Sequence, residues 1–388
     1  MLYIFLAVTA LTFAIIHSTS RSSNNHIWMN LTFVVLFVIW GLEYYNTVDY
    51  RVMLNKYNEV IYGTGGNIEL GDIEPLCQLL FYICSPIGNL FYYVLAAIIE
   101  IVILRLMVLK YVPQKYFWVL VLLMLFQFEY VVPIMTLKRQ ILAVFVGLLV
   151  IYVLNEKVKW SVTKRLIVAL LICFAAFNIH KATVVVVLFI PIWFLSKFKF
   201  NNIALLALCG LYVFQYFFDL GAYASFFFDI LNSSDAKYAH YALQFEDENR
   251  TTSAIHIVIE VFTFLLTLYG LKVCNQKEKT ILLAGIVYFL CVNFFVRDSG
   301  RILLPFRICQ LLSIPIILSK IGKIHELLPK AVVAMFLIIS IKSTYDVYTN
   351  PDKSSMTEGF KSFSLIYEAP SMQVNHPNLE SKKYLPYR

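Results

Sequence analysis

Charge is what this sequence has least of. Of its 388 residues only 14% are Asp, Glu, Lys or Arg, against 60% apolar. An ordinary soluble domain carries about 25% charged residues, so this chain cannot cover a water-facing surface. Lipid is the remaining solvent, and in lipid only helices or closed barrels satisfy every backbone donor and acceptor. Strict apolar–polar alternation over short segments is also missing, which excludes a barrel. Apolar runs of helix-spanning length recur throughout. These features select an all-α polytopic integral membrane protein.

Ordered cysteine spacing is absent as well. The seven cysteines (Cys77, Cys84, Cys173, Cys209, Cys274, Cys291 and Cys309) are scattered, and none stands in CxxC spacing. Cys77 and Cys84 would lie about 10 Å apart along a helix, too far to bridge. All seven read as small packing residues. Neither a metal nor a cofactor is expected. No basic segment is long enough for nucleic acid, so the net charge of +8 needs a membrane explanation. The opening Met1-Leu2-Tyr3-Ile4-Phe5 lacks a basic n-region and a small-residue cleavage site, and is expected to begin a first membrane helix.

The apolar runs predict about twelve transmembrane helices, near residues 2–17, 27–42, 87–109, 116–134, 138–154, 165–179, 182–196, 202–218, 254–271, 280–296, 301–319 and 330–343. Together they make one helical domain over residues 1–343, with two longer polar loops, 43–86 and 219–253, and a tail, 344–388. Every second connection carries cations: Arg21; Lys110 and Lys115; Lys157, Lys159, Lys164 and Arg165; Lys197 and Lys199; Lys272, Lys277 and Lys279; Lys320, Lys323 and Lys330. The positive-inside rule makes that set cytoplasmic. The N-terminus, both longer loops and the tail then face outward. No internal repeat is visible, nor an inverted pair of broken helices of the kind transporters show.

Seven residues break the charge rule on the outward side: Lys138, Arg139, His180, Lys181, Arg297, Arg301 and Arg307, at three helix junctions. Charge at membrane depth is costly and goes with a partner or a function. A shared anionic ligand would explain the set, and diphosphate fits it. Arg presents a planar fork of donors to phosphate oxygens. Arg139 stands at an expected helix N-terminus, where free N–H groups favour an anion. Arg297 and Arg301 share a face if their segment is helical, and Pro305 is expected to kink the span and re-aim Arg307. Plainer readings exist for several members. Lys138 and Lys181 could snorkel to headgroups, Arg297 could pair with Asp298, and His180 could be a structural loop residue. In the first outward loop, Asp49 and Glu74 are candidate general bases, while its tyrosines suit either sugar stacking or an interfacial belt.

In order along the chain, Asp49-Tyr50, Glu74-Pro75, Lys138-Arg139-Gln140-Ile-Leu-Ala143, His180-Lys181-Ala182-Thr183, Arg301 with Pro305-Phe306-Arg307, and the final Leu-Pro-Tyr-Arg resemble the EpsG type of Wzy-like exopolysaccharide and O-antigen polymerases. The chain departs from that pattern at Glu43, where the family often has Arg. It departs again at Val48, where a Gly is common, and at Ala182-Thr183 after the His-Lys pair. The resemblance implies a GT-C-like, metal-independent glycosyltransferase at the outer face of a bacterial inner membrane. Its substrate would be an undecaprenyl-diphosphate-linked oligosaccharide held in the lipid bilayer, with a chain-length regulator and a flippase as accompanying proteins. Lys138, Arg139, Lys181, Arg297, Arg301 and Arg307 would hold the diphosphate, His180 would assist, and Asp49 or Glu74 would take the acceptor proton. Residues 219–253 are long enough to form a mobile cover. Two rivals remain at this level. One is a membrane O-acyltransferase using His180, with Asn178 near it, as base; the other is a lipid-linked glycan flippase.

Overall fold

The computed structural model describes residues 1–20, 26–44, 48–63, 73–156, 160–217, 254–291, 299–322, 326–349, 363, 365 and 366. Among them the regular structure is helical, apart from one isolated antiparallel bridge between Glu43 and Leu365. In chain order the helices are α1 (Leu2–Thr19), α2 (Ile27–Gly41), α3 (Val48–Tyr62), α4 (Pro75–Cys84), α5 (Phe91–Tyr111), α6 (Phe117–Phe126), α7 (Phe128–Thr136), α8 (Lys138–Leu154), α9 (Val162–Ile179), α10 (Phe189–Leu195), α11 (Asn202–Phe217), α12 (Ala254–Val273), α13 (Gln276–Cys291), α14 (Leu304–Ile321) and α15 (Leu327–Thr349). Three 3-10 segments, Gln114–Tyr116, Lys181–Leu188 and Ser299–Leu303, lead into α6, α10 and α14.

Helix occupies each of the apolar runs read from the sequence. Among the described residues five helices are long and apolar enough to cross a membrane, or six if one bent pair counts as a span. Their surfaces agree with that assignment. Phe5 and Val8 on α1, Leu170 and Phe174 on α9, and Ile338 and Ile341 on α15 are exposed on the outside of the bundle, where water would make them costly and lipid does not. In contrast, α14 is buried along nearly its whole length and forms the centre. The protein is a polytopic helical membrane protein.

Three expectations from the sequence need correction. The stretch 43–86 is not simply a polar loop, because it contains α3 and α4. Met53, Leu54, Tyr57 and Val60 give α3 a buried stripe at helical spacing, which packs with Phe81 and Cys84 of α4. The run 116–134 is not one straight span either. It breaks at Gln127 into α6 and α7, which are bent by 66°. Finally, Pro305 does not kink a span: it sits in the first turn of α14, just after the 3-10 segment, where its missing N–H costs no hydrogen bond. The proline inside that helix is Pro315.

Successive helices run between two ends. At one end Lys110 pairs with Glu156, Lys320 with Glu278 at 2.8 Å, Lys272 donates to Asn202, and Arg165 donates to the Leu154 carbonyl. Thr280 bonds to Asn155 and Ser196 there, and a reciprocal Asn275–Glu278 capping box opens α13. These are the connections read as cation-rich. At the other end stand Tyr3, Glu43, Glu74, Lys138, Arg139 and His180. The tail returns to this end: Ile366 N–H donates to the Leu42 carbonyl at 2.7 Å, and the Phe363 ring meets Tyr3 edge-on at 5.6 Å.

Close helix contacts hold the bundle. A Cβ on Gly285 of α13 would lie 3.0 Å from the Gln310 backbone of α14, and one on Gly147 of α8 would lie 2.6 Å from a Val186 methyl. Val186 is fully buried and stiff about its first side-chain torsion, so it cannot swing aside. Gly147→Ala is expected to cost about 1–3 kcal/mol, read as a lowered midpoint in thermal unfolding of the detergent-purified protein. Adding Val186→Ala should recover much of the loss, and an undisturbed midpoint in Gly147→Ala would refute this contact.

Candidate functional site

The chemistry at the second end centres on Glu74, which precedes the Pro75 that opens α4. Its two carboxylate oxygens are engaged separately. Oε2 receives a hydrogen bond from Arg139 Nη1 at 2.7 Å, and Oε1 receives the backbone N–H of Lys181 at 2.9 Å. One carboxylate thus joins the starts of α4, α8 and the 3-10 segment after α9. Glu74 is 5% exposed, so the pairing is largely shielded from water, where charge-assisted bonds are strong. The remaining guanidinium N–H groups of Arg139 leave it able to bind a ligand anion as well.

Each residue of the Lys138–Ala143 run has its own assignment. Lys138 turns inward: its Nζ lies 2.7 Å from Glu43 Oε1 and donates to the Trp40 carbonyl oxygen at 2.7 Å. The side chains of the pair are 2% and 0% exposed. Gln140 Nε2 donates to the carbonyl of Arg301 at 2.8 Å, fastening the 3-10 segment before α14 to α8. Ala143 has no exposure and packs with Ala96, Leu142 and Ile179, which lets α5, α8 and the end of α9 approach closely. Three successive residues, Lys138, Arg139 and Gln140, therefore address three different elements.

The His180 junction is as closely determined. His180 takes extended angles (φ −156°, ψ 120°) and ends α9. The Ala182 N–H donates to its Nδ1 at 3.2 Å, so the ring proton lies on Nε2. Thr183 Oγ1 donates towards the carbonyls of Ala176 and His180, tying the turn to the end of the helix. Burial, followed by the fields of Arg139, Lys56 and Arg301, pushes the imidazole down to about 3. His180 is a neutral ring that can donate through Nε2 but cannot take up a proton near neutral pH.

The residues singled out from the sequence are thus only partly brought together. Glu74, Arg139, the Lys181 backbone, His180 and Arg301 form one cluster. Lys138 is committed to Glu43. The Lys181 side chain is exposed. Arg307 sits 5.3 Å from the Tyr130 ring centre and 5.6 Å from that of Tyr288, held between two aromatic faces inside the bundle. Asp49 lies in the first turn of α3, with its side chain outside the described set, and Arg297 lies outside the described residues. Residues 219–253, read as a mobile cover, are outside them too. Lys56, whose field acts on both His180 and Cys77, was missed by sequence reasoning. The stripe at Met53, Leu54, Tyr57 and Val60 could have revealed its helix, but nothing in the pattern marks that lysine.

Comparison with known proteins adds one finding. No curated protein and no solved structure matches the chain. The model of the EpsG family matches residues 26–357, a stretch that contains every residue of the cluster around Glu74. The chain belongs to the EpsG family.

Proposed function

We propose that this protein is a polysaccharide polymerase. It is a membrane glycosyltransferase that moves a growing glycan from undecaprenyl diphosphate to the non-reducing end of an incoming lipid-linked repeat unit. In this reading the chain crosses the bilayer twelve times as one GT-C-like domain over residues 1–343. The site, the N-terminus and the tail lie on the outer face of a bacterial inner membrane, where the cation-poor loops point. Membership of the EpsG family supports the polymerase class. The observation that carries the site is the Glu74–Arg139 pair at the His180 junction.

The acceptor hydroxyl oxygen bonds to the anomeric carbon of the donor glycan while the bond from that carbon to the diphosphate oxygen breaks. The hydroxyl proton passes to a carboxylate, and the lipid diphosphate leaves with the electron pair. Arg139 and Arg301 stabilise the charge that develops on the departing oxygen, and His180 donates to it through Nε2–H. These groups are oriented before reaction, which is where such stabilisation is most effective. Glu74 aims Arg139. The acceptor proton goes to Asp49 or Glu74, the two carboxylates of the first outward stretch. The same geometry weighs against an acyltransferase using His180 as base, since Nδ1 is occupied and Nε2 bears the proton.

Three outcomes test this reading. In detergent, with lipid-linked repeat units and EDTA present, the wild-type protein should form long polymer. Arg139→Ala and Arg301→Ala should lose it by about 10²-fold or more and leave single repeats behind; wild-type chain length in both would remove the diphosphate assignment. His180→Gln places an amide N–H near the Nε2 position and should stay within about tenfold of wild type, whereas His180→Ala should fall on the order of 10². The pH–rate profile of His180→Gln should parallel that of wild type from about pH 5 to about pH 8, because the native ring does not titrate there. Lys138→Met should act on the fold instead, lowering stability by about 3–5 kcal/mol by stranding Glu43. Lys138→Met combined with Glu43→Leu should recover most of it, and a stable but inactive single variant would return Lys138 to the site.

A further inference from the structure

We infer that the cation-rich end of the bundle holds a binding site for an anionic phospholipid, built by Arg165 and Lys197 around the Trp193 indole. The Arg165 guanidinium carbon lies 5.6 Å from the Trp193 ring centre. Lys197 Nζ lies 3.7 Å from that centre and 4.6 Å from the centre of Phe194. An aromatic face attracts each cation, but two like charges on one ring repel each other. Among the described residues neither pairs with an acid, whereas Lys110 at the same end pairs with Glu156 and Lys320 with Glu278. Arg165 is half-buried; it donates through Nη1 to the Leu154 carbonyl at 3.1 Å, and its buried Nε–H has no partner among the described residues. The first turn of α9 contains no acid either, so the positive end of that helix adds to the charge. A phosphate at this place relieves all three costs.

The surroundings select a lipid over a soluble anion. Trp160, Val162, Phe194, Leu195 and Phe198 flank the two cations and are exposed. Acyl chains cover such residues, and basic pockets between helices at this side of a membrane suit phospholipid headgroups. The platform itself is fixed. Trp193 is 3% exposed, Ser196 Oγ donates to its carbonyl at 2.7 Å, and Thr280 of α13 donates to Ser196 Oγ at 3.1 Å. Arg165 stands at the start of α9, which ends at His180, and the chain from Lys181 returns through α10 to Lys197. The two cations are thus the feet of a hairpin whose tip is the His180 junction. One headgroup held by both ties those feet together.

The test is lipid binding to the delipidated full-length protein in detergent, read by native mass spectrometry. Phosphatidylglycerol is the probe, and phosphatidylcholine with the same acyl chains is the comparator. The wild type should prefer phosphatidylglycerol by about tenfold or more. Lys197→Gln and Arg165→Gln should each weaken phosphatidylglycerol binding about fivefold and leave phosphatidylcholine unchanged. Lys330→Gln, which removes an exposed lysine from the same cation-rich set, should alter neither. Lys197 is itself exposed, so its variant keeps the test open if Arg165→Gln fails to fold. Unaltered phosphatidylglycerol affinity in Lys197→Gln overturns the site. An equal loss in Lys330→Gln marks diffuse charge attraction, and an equal loss for phosphatidylcholine marks a change of fold; either overturns it too. No arm reads polymer formation, so the polymerase reading stands or falls separately.

Discussion

The Glu74 carboxylate is where three otherwise separate pieces of this bundle meet. Arg139 reaches it from the first turn of α8, the Lys181 N–H reaches it from the segment after α9, and Pro75 starts α4 directly behind it. Each of those pieces carries a different part of the cluster: the Arg139 guanidinium, the neutral imidazole of His180, and the helix against which α3 packs. Without the carboxylate, Arg139 would be a cation at a membrane boundary with no fixed direction. The Lys181 N–H would also lose its acceptor at the start of a helix, where donors have no partner within the helix.

Below that hub lies a second, drier pairing of Lys138 with Glu43. The two pairings use adjacent residues of α8, and a helix turns about 100° per residue, so Lys138 and Arg139 necessarily leave in different directions. One anchors the helix to α2 inside the bundle, and the other is presented at its end. The chain thereby gives two neighbouring charges different surroundings, one dry inside the bundle and one partly open at its end. Gln140 extends the division by holding the Arg301 carbonyl, which places a second guanidinium near the same rim.

The division was only half legible in the sequence. Apolar runs located the long helices because lipid leaves backbone groups no alternative partner, and the charge asymmetry between loops separated the two ends. Arg139, His180 and Arg301 stood out because each lay at a boundary where a cation is costly. Lys138 stood out for the same reason and was misjudged, since its direction depends on helix rotation and on a Glu43 distant in sequence. Helix α3 was hidden because a polar amphipathic segment between membrane spans looks like a loop until its buried stripe has a partner, and α4 because its apolar run is too short to span a membrane. Lys56 was hidden with them. The break at Gln127 was missed because the apolar residues on both sides merge into one run, although Gln127, Glu129 and Pro133 interrupt it.

The meeting of Tyr3 with Phe363, and of Leu42 with Ile366, sets a clock on assembly. Helix α1 finishes its packing at this end with a residue made 360 positions later. At roughly 5–20 residues per second that is a wait of roughly 20–70 s. Throughout that interval the Tyr3 ring waits for Phe363 and the Leu42 carbonyl waits for the Ile366 N–H.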